Sequence, residues 1–313
     1  MTRVVFLGGL GRSGSTLIER ILGQLPGVCT VGEVVHLWQR GLVRDERCGC
    51  GQPFSACPFW RQVGEAAFGG WQQVDPGVVH DLGVRVDRTR YIPGLAAPRI
   101  ARTVAGRAGQ YADYYAAVYA AVAAVSGADT VVDSSKNASL AYVLRRQPDL
   151  DLRVLHVVRD SRGVAYSWTK HVPRPEAGDA QPEMHRYRPW RAALLWDMQN
   201  VSLTVLGRLG TPTERVQYEH LLADPPGTMR RVCAFLDLPA GEELGSFLGP
   251  DSVRLAPAHT VSGNPMRFQT GTVPLRRDDS WRSQMRPADR RLVSALTLPL
   301  LLRYSYLPAR RDG

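Results

Sequence analysis

Short apolar, β-branched runs alternate along this chain with longer stretches whose apolar positions recur at helical spacing. Val4–Leu7 and Thr130–Asp133 read as buried strands, with Leu152–Val158 and Arg215–Gln217 as a third and a fourth. Each leads into a helix. The first opens at Thr16 and carries Leu17, Ile18, Ile21, Leu22 and Leu25 on one face; the others cover Ala138–Arg146, the stretch up to Thr169, and Pro225–Leu236. Cys29–Val31 is a short extended piece ending at Gly32-Glu33, and Val34–Gly41 a helical turn or two. Further helices are predicted over Gln110–Val125, Trp190–Leu209 and Pro287–Leu302. Strands that alternate with helices predict an α/β fold, a parallel sheet covered by helices on both faces. No composition break divides it. The prediction is one domain over 1–313, with a helical and loop insertion at about 45–128 and a proline-rich, mobile loop at about 170–189. The glycine- and proline-rich stretch up to Leu275 carries no predicted element.

In such folds ligands gather at the carboxyl ends of the strands, so the polar residues there carry the chemistry. After Val4–Leu7 come Gly8, Gly9, Gly11 and Gly14, and then a helix N-terminus, the arrangement that holds phosphate through backbone N–H groups. Gly9 to Thr16 has the spacing of a nucleoside triphosphate loop, G-x-x-x-x-G-K-[ST], but Ser15 stands in place of the lysine. The cation is instead Arg12, inside the loop. An arginine fork with the hydroxyls of Ser13, Ser15 and Thr16 suits a smaller tetrahedral anionic group, which makes ATP or GTP hydrolysis a poor expectation.

Composition changes this picture little. The 313 residues are 44% hydrophobic, with a net charge of +10 that fits an anionic ligand. No block of five like charges and no basic stretch interleaved with aromatics points to nucleic acid. Lys136 and Lys170 are the only lysines among 39 basic residues. No leader or membrane span is read, and the five cysteines form no even disulfide framework, so a cytoplasmic location is expected. Cys48-x-Cys50 with Cys57 has zinc-like spacing but no evident fourth ligand; the reading is free thiols or a local disulfide, and no metal.

Arg159 ends the third strand and Ser167 lies eight residues on, so the two can close on one phosphate from two sides. The stretch Val157-Val158-Arg159-Asp160-Ser161-Arg162-Gly163-Val164-Ala165-Tyr166-Ser167 resembles the 3′-phosphate segment of sulfotransferases that use 3′-phosphoadenosine 5′-phosphosulfate (PAPS). Gly11-Arg12-Ser13-Gly14-Ser15-Thr16-Leu17 is similar to their 5′-phosphosulfate loop, in the arginine form of tyrosylprotein and many bacterial members. Val216–Leu222 resembles the segment whose tyrosine, here Tyr218, contacts the nucleotide. The resemblance covers residues 4 to about 306. It implies a sulfotransferase-like fold of the P-loop type, no metal, and transfer of a sulfuryl group to a hydroxyl or amine. It also implies a base: Glu33 stands twenty-one residues after Arg12, as in the tyrosylprotein branch, and His36 is the second candidate. Lys136 resembles a lysine that assists the leaving oxygen, its alternative being a salt bridge to Asp133. Ser262 and Arg267 are expected to close over the nucleotide, with Arg276 the second choice of arginine. Trp38, Trp60 and Trp190 are candidates for an acceptor pocket or for the core. Two other functions stay open: a kinase-like phosphotransferase, and a non-catalytic nucleotide- or nucleic-acid-binding protein. The acceptor, a small molecule or a polymer bearing a hydroxyl, is not legible.

Overall fold

Val4 and Phe6 turn to one side of the first strand, Val5 and Leu7 to the other, and all four are wholly buried. Enclosing each such side chain contributes about 1.5–3 kcal/mol, so this strand belongs at the centre of a sheet. The computed structural model, which describes residues 1–97, 101–174 and 183–307, places it there. β1 (Thr2–Gly8), β2 (Val28–Gly32), β3 (Thr130–Lys136), β4 (Leu150–Val158) and β5 (Thr213–Gln217) form a parallel sheet in the order β2-β3-β1-β4-β5. The short extended piece at Cys29–Val31 is therefore a full edge strand.

Helices cover both faces. Val4 and Phe6 pack under helices Arg102–Ser126, Ala138–Leu144 and Pro189–Arg208. Val5 and Leu7 pack under helices Ser15–Leu22 and Pro225–Leu236. Between β2 and β3 lie helices at Pro58–Phe68 and Pro76–Val86 and the long helix that begins at Arg102. Trp38 and Trp60 are core residues there, 2% and 0% exposed, whereas Trp190 is largely exposed.

Two expectations are corrected. The stretch before Leu275 holds an antiparallel hairpin, β6 (Ser252–Leu255) with β7 (Gly271–Pro274). Its strands are four residues long and separated by fifteen, too short and too far apart for a local hairpin signal. The C-terminal helix is broken at Thr297, before Pro299, into Pro287–Leu296 and Leu298–Arg303. Of the loop 170–189, residues 175–182 lie outside the described residues. Its flanks are tied down: Arg174 pairs with Glu46 at 2.7 Å and Val172 accepts the Met184 amide at 2.9 Å. Among the described residues no helix is long and apolar enough to cross a membrane.

The strand tips set the site. The β1–β3 register shifts between Phe6 and Gly8, which brings Lys136 beside Gly8. The Lys136 carbonyl then accepts the Gly9 amide at 3.2 Å. The glycine loop thus rests directly on the end of β3.

Candidate active site

Between β1 and helix Ser15–Leu22 the backbone turns left-handed at Gly9, Arg12 and Gly14, with φ of 146°, 75° and 95°. A Cβ on Gly9 would lie 2.4 Å from the Val157 carbonyl, and one on Gly14 2.5 Å from the Tyr218 ring. Glycine is required at both places. Gly14 puts no capping side chain on the helix, so its N-terminus faces a cleft of about 780 Å³. Arg12, Arg40, Arg88, Lys136, Arg159, Arg174 and Arg276 line the cleft, against the carboxylates Glu33 and Asp87. That excess gives the cleft a positive potential.

Arg12 lies over the Trp168 ring, 5.3 Å from its centroid, and its Nε is buried with no hydrogen-bond partner. Burial lowers the guanidinium's pKa, an effect that Glu33 opposes. A buried donor without an acceptor at the mouth of an amide-lined loop fits an anionic ligand group. Trp168 fixes the loop from below by donating its Nε1–H to the Gly11 carbonyl at 3.0 Å.

Arg159, at the end of β4, is not across the molecule from this loop. Its Nη1 donates to the Arg12 carbonyl at 3.1 Å, and its guanidinium stacks 4.5 Å from the centre of the Tyr218 ring. Ser167, Tyr218, Ser15 and Thr16 line the same cleft. Nη2 of Arg159 donates to the Asp278 backbone carbonyl at 2.9 Å, with the Asp278 carboxylate at 3.6 Å. Burial disfavours ionisation of Asp278, but hydrogen bonds from Ser280 and Lys170 prevail and hold it at about 2.

Glu33 follows β2 and meets Lys136 from β3 in a direct ion pair. Its other oxygen lies 3.3 Å from Nε2 of His36. Burial works against the charge on Glu33, yet the ammonium and the imidazole overcome it and hold the carboxyl well below its ordinary range. Burial also lowers His36, an effect that the Glu33 carboxylate opposes. The expected alternative partner of Lys136, Asp133, is engaged elsewhere: it accepts Ser135 Oγ and Tyr119 OH, each at 2.5 Å.

Three expected ligand residues do not face the cleft. Ser13 is 1% exposed and is not among the residues that line the cleft. Ser262 accepts Arg40 through its hydroxyl at 2.8 Å and the Glu33 amide through its carbonyl at 3.3 Å, so it braces the site from behind. Arg267, 1% exposed, donates to the carbonyls of Thr260 and Arg47, both at 2.6 Å. A buried guanidinium held by two main-chain carbonyls is a cross-brace. Arg276 lines the cleft in its place, as do Gly263 and Asn264.

Sequence reading missed Trp168, Asp278 and, above all, Glu19. Glu19 is enclosed within the first helix, where it accepts the Gly32 amide at 2.6 Å and the Ser134 hydroxyl at 2.7 Å. It thereby ties together the tips that carry Glu33 and Lys136. The one available signal was a charged pair, Glu19-Arg20, inside a short apolar helix.

The fold is similar to that of the sulfotransferase domain from the Synechococcus PCC 7002 olefin synthase, with a TM-score of 0.56 and 22% identity over 98% of this chain and 96% of that one. It is also similar to the sulfotransferase domain from the curacin biosynthetic pathway, with a TM-score of 0.50 and 14% identity over 94% and 97%. No curated protein matches the chain in sequence. The sequence pattern of the sulfotransferase family matches residues 4–242, spanning the glycine loop, the Glu33–Lys136 pair, Arg159 and Tyr218; the chain belongs to the sulfotransferase family.

Proposed function

We propose that this chain transfers a sulfuryl group from PAPS to a hydroxyl or amine acceptor by in-line displacement, with Glu33 as the base. One observation carries the reading: the β1 loop and the β4 arginine, two anion-binding elements, are joined by the Arg159–Arg12 contact at the rim of one cleft. A donor with two separate anionic ends needs such a pair. When bound, PAPS would supply an activated sulfuryl group and a nucleotide leaving group.

In this proposal Arg12, Ser15 and Thr16 hold the 5′ end through the loop amides, the hydroxyls and the guanidinium. Arg159 and Ser167 hold the 3′-phosphate, Tyr218 supports Arg159 from its ring face, and Arg276 supplies the C-terminal cation. The Glu33–Lys136 pair joins base to acid. Glu33 is held as a carboxylate, a weak base while the Lys136 ammonium is paired with it. Charge developing on the leaving oxygen would draw the Lys136 ammonium away, and Glu33 would grow more basic as the acceptor proton reaches it. His36 orients the carboxylate through its Nε2 contact at 3.3 Å.

The phosphotransferase reading has less support. The loop lacks its lysine, and both cleft carboxylates are engaged, Glu33 by Lys136 and Asp87 by Ser139 at 2.5 Å. Calorimetric titration with adenosine 3′,5′-bisphosphate and with ATP, each with magnesium and with a chelator, tests the proposal. Binding of the bisphosphate unaffected by chelation, with ATP far weaker, is expected. Preference for magnesium-ATP would overturn it. With an acceptor in hand, Glu33→Gln should lower kcat by about 100- to 10,000-fold while bisphosphate binding is retained.

A further inference from the structure

Three cysteines of the insertion and one histidine from a distant segment converge at a place that the transfer reaction does not use. Sγ of Cys48, Cys50 and Cys57 and Nδ1 of His259 all lie within 4.8 Å of one another. Cys50 and Cys57 sulfurs are 3.8 Å apart, and Nδ1 of His259 is 3.3 Å from the Cys57 sulfur and 3.8 Å from that of Cys48. A disulfide requires about 2.05 Å between sulfurs. Tetrahedral zinc, with bonds of about 2.3 Å to sulfur and about 2.05 Å to nitrogen, sets S···S at about 3.8 Å and S···N at about 3.6 Å. The three separations given lie within about 0.3 Å of these values, and the remaining pairs lie within 4.8 Å.

The surroundings are built for it as well. Cys48 accepts the Gly51 amide at 2.8 Å, forming a tight turn in which Gly51 adopts φ 90°, so that Cys48 and Cys50 present both thiols to one point. Phe59 stacks on the His259 ring at 4.9 Å and 14°, and Trp60 Nε1 donates to the His259 carbonyl at 3.1 Å, which fixes the imidazole. The remaining cysteines differ: Cys233 sits in an apolar core, and Cys29 packs against the other one.

We infer that Cys48, Cys50, Cys57 and His259 bind a structural zinc ion. All four positions come from protein and none of the four residues lines the cleft, so the ion has no open site for chemistry. Its work is to clamp the insertion to the segment at 258–264. That segment braces the base: Val261 donates to the Val31 carbonyl at 2.9 Å and Ser262 accepts the Glu33 amide. The sequence reading found no fourth ligand because His259 lies 202 residues beyond Cys57. The inference does not depend on the identity of the sulfuryl donor.

The test is elemental analysis of the full chain, purified without a metal-affinity tag or chelator. About one zinc per chain is expected, falling below about a tenth in His259→Ala and in Cys57→Ser, with Cys233→Ser unchanged. Since the ligand variants can misfold, the wild-type chain produced in cobalt-supplemented medium supplies a second readout. It should show thiolate-to-cobalt charge transfer and the ligand-field bands of tetrahedral cobalt. Iron in place of zinc, a metal-free folded chain whose three thiols alkylate freely, or a disulfide seen by intact mass would each overturn the assignment.

Discussion

Glu19→Gln separates a charge from the hydrogen bonds it makes. Burial outweighs the Ser134 hydroxyl, the Lys136 charge and the Gly32 amide, and raises the Glu19 carboxyl from 4.5 to about 7. Between those values the folded chain keeps a proton that the unfolded chain has released, so stability must fall as pH rises through that window. At about 1.4 kcal/mol per pH unit the loss approaches about 3 kcal/mol. Glutamine keeps the shape, accepts the Gly32 amide, donates to the Ser134 oxygen and never ionises. Asp133, raised by burial to about 6, acts in the same direction in both proteins, and its charge is one of the causes that raise Glu19. Urea unfolding at about pH 5 and about pH 8 should show wild type losing up to about 3 kcal/mol more than the variant across the interval. Equal losses would refute the claim that the enclosed carboxyl carries the raised pKa.

Other expectations rest on single contacts. Arg159→Ala removes a charge-assisted donor from the cleft and should weaken adenosine 3′,5′-bisphosphate by about 1.5–3 kcal/mol, roughly 10- to 150-fold, as read by calorimetry. Gly14→Ala places a Cβ 2.5 Å from the Tyr218 ring at φ 95°; binding of the bisphosphate should be lost, and thermal stability should drop by about 1–3 kcal/mol. Trp168→Ala uncovers Arg12 and frees the Gly11 carbonyl, and should slow turnover without displacing the transition in far-UV circular dichroism by more than a few degrees.

What could be read ahead of the structure was local. A β-branched run followed by glycines and a helix start has few conformations open to it, so Val4–Leu22 was legible as strand, anion loop and helix. The same holds for Arg159 after Leu152–Val158, because a strand's end exposes whatever residue follows it, whereas Tyr218 was marked out by the resemblance of Val216–Leu222 to the family's segment. Arg267 went wrong for the complementary reason. A basic residue in a glycine-rich segment looks like a phosphate ligand, and only the fold shows two main-chain carbonyls claiming its guanidinium.

The alternation of strand and helix and the glycine loop without its lysine were written in neighbouring residues, each within one turn or one strand, whereas Glu33 stood out as a candidate base only through the resemblance to the tyrosylprotein branch. Tertiary structure alone decided the pairings: Glu33 with Lys136 across 103 residues, Glu19 with Ser134 across 115, His259 with Cys48 across 211. The physical reason is that a charge or a thiol carries no record of its partner. Strand order and register bring the two within a few ångströms, and burial then makes the contact strong.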